Sequence, residues 1–307
     1  MAWRGSLVAA LLATLAHPRW WAIALAAFLV RGGFVVILLP IIVPPTVASV
    51  AVMVVPAVMQ LASNGPGNPV AAFVLAVAAV GLLGVMLAGG LGASFDAALA
   101  AEAADDEDLA PAGGLRAREP RPAGLGSARL WPHLVTAIVL VVAIVQVVVV
   151  AYREATTLGA PTTPFAIRVL AETALPVAAC VATWFLAEAA GGLALRALLL
   201  GVPGEPAPRV RVALGHGARS LLRGRVFATL VVTNVATVVV ALPGAFAAAR
   251  AWSQLRLLFI DGADALGLAI GLLLFVGVLM GWLALLAVAL AWRSTAWTAV
   301  AAAIRAA

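Results

Sequence analysis

A single arginine stands in the middle of an otherwise uncharged apolar run. The run, WWAIALAAFLVRGGFVVILLPIIV, extends from Trp20 to Val43, and the arginine is Arg31, eleven residues beyond Trp20. At a rise of ~1.5 Å per residue, Arg31 departs from a helix about 16 Å into the membrane, close to the midplane. Arginine does not release its proton, and holding it there costs at least ~2.5–3.5 kcal/mol. A fold that contains this run must give Arg31 a carboxylate, backbone carbonyls or a wet cavity.

The rest of the chain demands a membrane. Of its 307 residues 64% are hydrophobic and 10% are charged, against about 25% charged in a soluble domain. Six runs are long enough to cross a bilayer, approximately 20–43, 69–93, 131–152, 172–195, 226–248 and 265–292. The expected fold is an all-α integral membrane protein, a bundle of six transmembrane helices in one helical domain over 1–307. Residues 1–18 form either an N-terminal interfacial helix, the favoured reading, or a short signal peptide. The segment PPTVASVAVMVVPAVMQ after span one is too short and proline-broken to cross alone, and reads as re-entrant or interfacial.

All nineteen Lys/Arg positions are arginine, and with the abundant Ala, Val and Gly this leads to the expectation of a GC-rich bacterial source. With the N-terminus inside, fourteen fall on the inner side (Arg4, Arg19, Arg116, Arg118, Arg121, Arg129, Arg196, Arg209, Arg211, Arg219, Arg223, Arg225, Arg293 and Arg305). Four fall outside, Arg153, Arg168, Arg250 and Arg256. The positive-inside rule then puts both termini in the cytoplasm of a bacterial cytoplasmic membrane. The net charge of +6 comes from these border arginines and does not point to nucleic acid.

Two cytoplasmic loops follow, 94–130 and 196–225. The first contains an acidic block, Asp105, Asp106, Glu107 and Asp108, then a basic Pro/Gly-rich block, and reads as a mobile loop. The second carries six arginines against one acid, Glu205. From Val210 it has the pattern of an amphipathic basic helix for an anionic surface, with Arg209, Arg211, Arg219, Arg223 and Arg225 as its lipid head-group contacts.

Here the chain resembles a group of bacterial multi-pass proteins of unassigned role that includes the membrane domain fused to some glycerophosphodiester phosphodiesterases. The matching residues are Leu195-Arg196-Ala197, Gly204-Glu205-Pro206, then Ala213-Leu214 through Arg219 and Arg223, with His17-Pro18-Arg19-Trp20 before span one. The resemblance covers about 50 residues and implies a six-helix bundle. The hydrolase domain of those fusions has no counterpart, so its activity does not carry over.

Three intramembrane polar residues lie at similar depth. Glu188 is eight residues from Arg196 and Asn234 nine from Arg225, about 12 and 13 Å along a helix. Arg31, Glu188 and Asn234 are therefore expected to form a polar cluster, with Glu188 neutralising Arg31. Its role is either a structural ion pair or a site for an anionic or zwitterionic head group. Glu172, four residues past Arg168, is expected to pair with it. Gln146 is expected at a helix contact, and Gly267/Gly271, Gly277/Gly281 and Gly81/Gly84 at close helix crossings.

No zinc-protease, nucleophile-elbow or phosphate-loop motif occurs, and neither a metal nor a cofactor is expected. Two functions fit: a non-enzymatic transporter-like or accessory protein handling lipid or a small amphiphile, or a scaffold subunit docking a partner through its cytoplasmic loops. Membrane lipids are the expected partners, with a protein partner or a second copy as further candidates. A membrane-embedded enzyme is least supported.

Overall fold

Proline placement and apolar length set the helices. The computed structural model describes residues 3–38, 41, 69–107, 109, 122–156, 165–205 and 208–306. The chain is an all-α multi-pass membrane protein with six helices long and apolar enough to cross a membrane. In order, the helices are α1 (Trp3–Ala16), α2 (Pro18–Phe28), a π-turn (Leu29–Gly33), α3 (Phe34–Leu38), α4 (Pro69–Asp106), α5 (Pro122–Leu130), α6 (His133–Thr156), α7 (Phe165–Leu200), α8 (Val210–Ser220), α9 (Gly224–Ile260) and α10 (Ala265–Ala306). The segment after span one and the middle of the first cytoplasmic loop, Asp108 included, lie outside the described residues.

Contacts group the chain into two compact units, 1–99 with 231–296, and 100–230 with 297–307. In the first, α1 and α2 meet at a corner. Pro18 pushes His17 out of the helical region, to φ −119° and ψ 81°. The carbonyls exposed by the break find side chains: His17 Nδ1 lies 2.9 Å from Ala13 O, and Trp21 Nε1 donates to Thr14 O at 2.7 Å. The N-terminal helix is also fixed from its other side, because buried Thr14 shares a 2.9 Å hydroxyl contact with Thr295.

The first span is not one continuous helix. The Leu29–Gly33 turn breaks it at Arg31 (φ −78°, ψ 15°) and Gly32 (φ 95°). Gly32 takes the left-handed conformation that a side chain would strain, and a Cβ on Gly33 would overlap the Phe28 ring at 2.3 Å. The Gly-Gly pair after Arg31 is what permits the kink.

Also in this unit, α9 and α10 form an antiparallel pair. Trp252 meets Phe275 at 5.3 Å between ring centroids, Trp282 lies over Gly244, and Leu255 and Leu258 lie against Gly271. Of the glycines expected at close crossings, Gly271 is at one. Gly81, Gly84, Gly277 and Gly281 have nothing within 4 Å of where a Cβ would stand. α10 also outruns the expected span. Its last turns are not a tail, because Ser294, Thr295, Trp297 and Thr298 are all buried.

In the second unit α6 and α7 pack as a hairpin, and the short helices α5 and α8 pack against α7. Part of the first loop, expected to be mobile, is therefore ordered: α4 runs to Asp106, and α5 buries Leu125, Ala128 and Arg129. The second loop forms the expected helix, but on another face. α8 meets α7 through its small residues Ala213, Gly217 and Ser220, since a Cβ on Gly217 would stand 2.7 Å from Ala190 O. Gly201 (φ 83°) ends α7 in a left-handed cap. Val202 and Glu205 then exchange two 3.0 Å hydrogen bonds across a tight turn with Gly204 at φ 78°. At the far end of the hairpin the charges cross between helices. Glu172 pairs with Arg153 rather than Arg168, and Arg168 Nε reaches Glu154 at 2.6 Å. Gln146 lies on an exposed face of α6.

The kink gives a direct test by thermal unfolding in detergent. Gly32→Ala is expected to lower stability by roughly 1–2 kcal/mol. Gly92→Val should also lower the Tm, because its Cβ would fall 2.3 Å from Arg31 Cγ. Gly81→Ala, in open space, should leave the Tm unchanged or slightly raised.

Candidate functional site

Of the three residues expected to cluster, Arg31 and Asn234 belong to the first unit and Glu188 to the second. Arg31, half-buried in the kink, lays its aliphatic stem across Gly92 of α4, and its Nε donates to Ala27 O at 3.2 Å. Gly92 has no side chain to obstruct that approach. One turn further on, on the same face of α4, is Asp96, 7% exposed. It accepts a 3.0 Å hydrogen bond from the Ser294 hydroxyl. Asn234 Oδ1 accepts from Arg293 Nη1 at 3.2 Å, tying α9 to α10.

Glu188 belongs to the second unit, where Arg129 engages its carboxylate. Arg129 Nη2 donates to Glu188 Oε1, and Nη1 donates to the Glu188 carbonyl at 3.0 Å. The guanidinium thus spans side chain and backbone of one residue. Arg129 itself is 2% exposed, although its place at a span border reads as an orientation signal. The physical reason is the unforeseen helix α5, which brings Arg129 down onto α7. His133, one turn beyond Arg129, closes the group: Nδ1 lies 2.9 Å from Arg129 O and Nε2 3.7 Å from Glu188 Oε2.

Glycines make room for this arrangement. A Cβ on Gly191 would stand 3.2 Å from the carbonyls of both Ala128 and Arg129. One on Gly192 would stand 2.8 Å from Arg129 Nη1 and 2.5 Å from the Trp297 ring. Glu188-Ala189-Ala190-Gly191-Gly192 is thus an acid followed within one turn by a notch, a legible sequence signal once a buried partner is sought. One turn later on the same face is Arg196, 1% exposed. Its Nε donates to Thr298 Oγ1 at 3.1 Å and its Nη1 to Gly192 O at 2.9 Å, while its Cζ sits 5.6 Å from the Trp297 ring centroid. The ring face and two oxygen acceptors offset the burial of that charge.

A small cleft lies beside Arg196, lined also by Leu200, His216, Ser220 and Ile304. Burial, then the charges of Arg223 and Arg219, hold the His216 imidazole below its ordinary pKa. The five arginines expected to meet head groups, Arg209, Arg211, Arg219, Arg223 and Arg225, are all exposed. Among the described residues no three of His, Cys, Asp and Glu converge as a metal site would require.

Sequence reasoning missed Arg129, Asp96 and the inward role of Arg196 and Arg293. Each lies near the end of an apolar run, where an ionisable group looks solvated. No family model matches this sequence, and no curated protein or solved structure matches it either.

Two outcomes test this geometry. Arg129→Ala leaves the Glu188 carboxylate buried without its main partner, and is expected to destabilise the fold by roughly 3 kcal/mol. Arg129→Leu combined with Glu188→Leu should recover much of that loss, as read by thermal unfolding in a double-mutant cycle. The His216 effect has a definite sign. Its folded pKa lies below the ordinary 6.5, so the unfolded chain takes up its proton first. Stability should fall as pH drops from about 6.5 toward that lowered folded value. His216→Gln should flatten the difference in Tm between neutral and mildly acidic buffer.

Proposed function

We propose that this chain is a non-enzymatic accessory protein of a bacterial cytoplasmic membrane, with both termini in the cytoplasm. In this reading its helices form a fixed frame that engages membrane lipid and presents cytoplasmic segments to a partner. The observation that carries the proposal is the closure of Glu188 by Arg129. A carrier needs an intramembrane polar group reachable by turns from two sides. A carboxylate clamped by a buried guanidinium, over glycines that admit one helix position, favours a single arrangement. The arginine asymmetry supports the orientation.

A second reading, a transporter-like protein for a lipid or small amphiphile, is favoured by Arg31. Its guanidinium is half-buried in a π-turn, a geometry frequent at functional sites. The resemblance to the membrane domain fused to some glycerophosphodiester phosphodiesterases is compatible with either reading and assigns no chemistry.

The two separate by accessibility. In a Cys180→Ala background, cysteines introduced at buried Ala27, Ala187 and Thr233 are challenged with a membrane-impermeant maleimide from each side of a vesicle. The accessory reading expects no labelling at the three positions and full labelling at exposed Ala218→Cys. Labelling of Ala27→Cys or Thr233→Cys that changes when short-chain phospholipid is added would replace it with the carrier reading.

A further inference from the structure

The turn between α8 and α9 places its most apolar side chain where no protein covers it. Leu222 is 87% exposed, the greatest exposure of any large hydrophobic residue among those described. The turn is not slack. Leu221 N donates to Ala218 O at 3.3 Å, Leu222 N to Arg219 O at 3.2 Å and Arg223 N to Ser220 O at 3.0 Å. Beneath it, α8 is seated on α7 by Ala213, Gly217 and Ser220, so Leu222 is held outward by a fixed base.

Exposed charge of one sign surrounds this tip. Arg219, Arg223 and Arg225 flank it, Arg209 and Arg211 stand at the other end of α8, and no acid occurs from 209 to 225. One turn into the apolar helix α9, Phe227 is 45% exposed. The direction of the His216 shift, lowered in part by Arg223 and Arg219, agrees with a positive field at this surface.

We propose that the Leu222 turn is a lipid-binding wedge, in which Leu222 enters the boundary between head groups and acyl chains while Arg219, Arg223 and Arg225 take the phosphates of anionic phospholipids. Charge complementarity and position select this occupant. The turn begins an apolar span at Gly224, which places it at a membrane border. An isolated leucine ringed by guanidinium groups matches a layer that is anionic outside and apolar beneath. The assignment shares only the membrane placement of the preceding reading, and holds for a frame or a carrier alike.

The experiment uses the full chain in the Cys180→Ala background with an environment-sensitive NBD label on Leu222→Cys. The protein is reconstituted in nanodiscs of phosphatidylcholine alone, or of phosphatidylcholine mixed with phosphatidylglycerol. The expected result is blue-shifted emission, protected from aqueous dithionite, that strengthens with phosphatidylglycerol and weakens with salt. Arg219→Gln with Arg223→Gln should lower the preference for phosphatidylglycerol roughly fivefold per arginine. Arg219→Lys with Arg223→Lys retains the charge and should keep most of the preference, which controls for misfolding. Because leucine is lost to the label, wild-type protein is also assayed by native mass spectrometry, with retained phosphatidylglycerol expected to exceed phosphatidylcholine. A label that reports water in both compositions would overturn the proposal. Equal protection in both, with no lipid preference in the wild-type protein, would overturn it too. Neither outcome bears on the maleimide accessibility of Ala27, Ala187 or Thr233, so the two readings fail independently.

Discussion

One stretch of one helix gathers partners for buried polar groups from several elements. From Arg293 to Thr298, α10 reads Arg-Ser-Thr-Ala-Trp-Thr, and nearly every residue engages a different element. In the first unit Arg293 bonds Asn234 of α9, Ser294 bonds Asp96 of α4, and Thr295 meets Thr14 of α1. In the second unit Trp297 and Thr298 receive Arg196 of α7. A buried polar group has no access to water, so each is matched inside the protein. Individual bonds of this kind in membranes contribute only about 0.6–2 kcal/mol. Their greater effect is on specificity, because a slipped register would leave several groups unmatched together.

Glycine sets where charged side chains can go. Arg31 crosses α4 at Gly92, Arg129 reaches α7 at Gly191 and Gly192, and α8 meets α7 at Gly217. In each case a Cβ would occupy space that a neighbour already fills. Apolar association gives little preference for one helix face over another inside lipid. Glycine notches with matched guanidinium groups provide that preference through shape and charge together. The glycines that face open space, such as Gly277 and Gly281, show that small residues alone do not mark a contact.

The same logic explains what was legible beforehand. The six spans, the helix beginning at Val210 and the exposure of its arginines follow from hydropathy, periodicity and charge, each a property of neighbours in sequence. Glu188 was recognisable as needing a counter-charge, but its partner was not. Arg129 reaches Glu188 only through the packing of α5 against α7. Arg196 and Arg293 resembled border anchors because they end apolar runs. α10 continues far enough past its apolar run to bury the groups that meet them.

By itself, the sequence determined that this chain resides in a membrane, how many helices can cross, and that intramembrane charges need partners. Solvation imposes these requirements residue by residue. The tertiary structure alone decided that Arg129 takes Glu188, that Arg31 rests in a kink against Gly92, and that α8 turns its small residues inward and Leu222 outward. Those outcomes depend on which backbones approach within a few ångströms, and that is fixed by non-local packing.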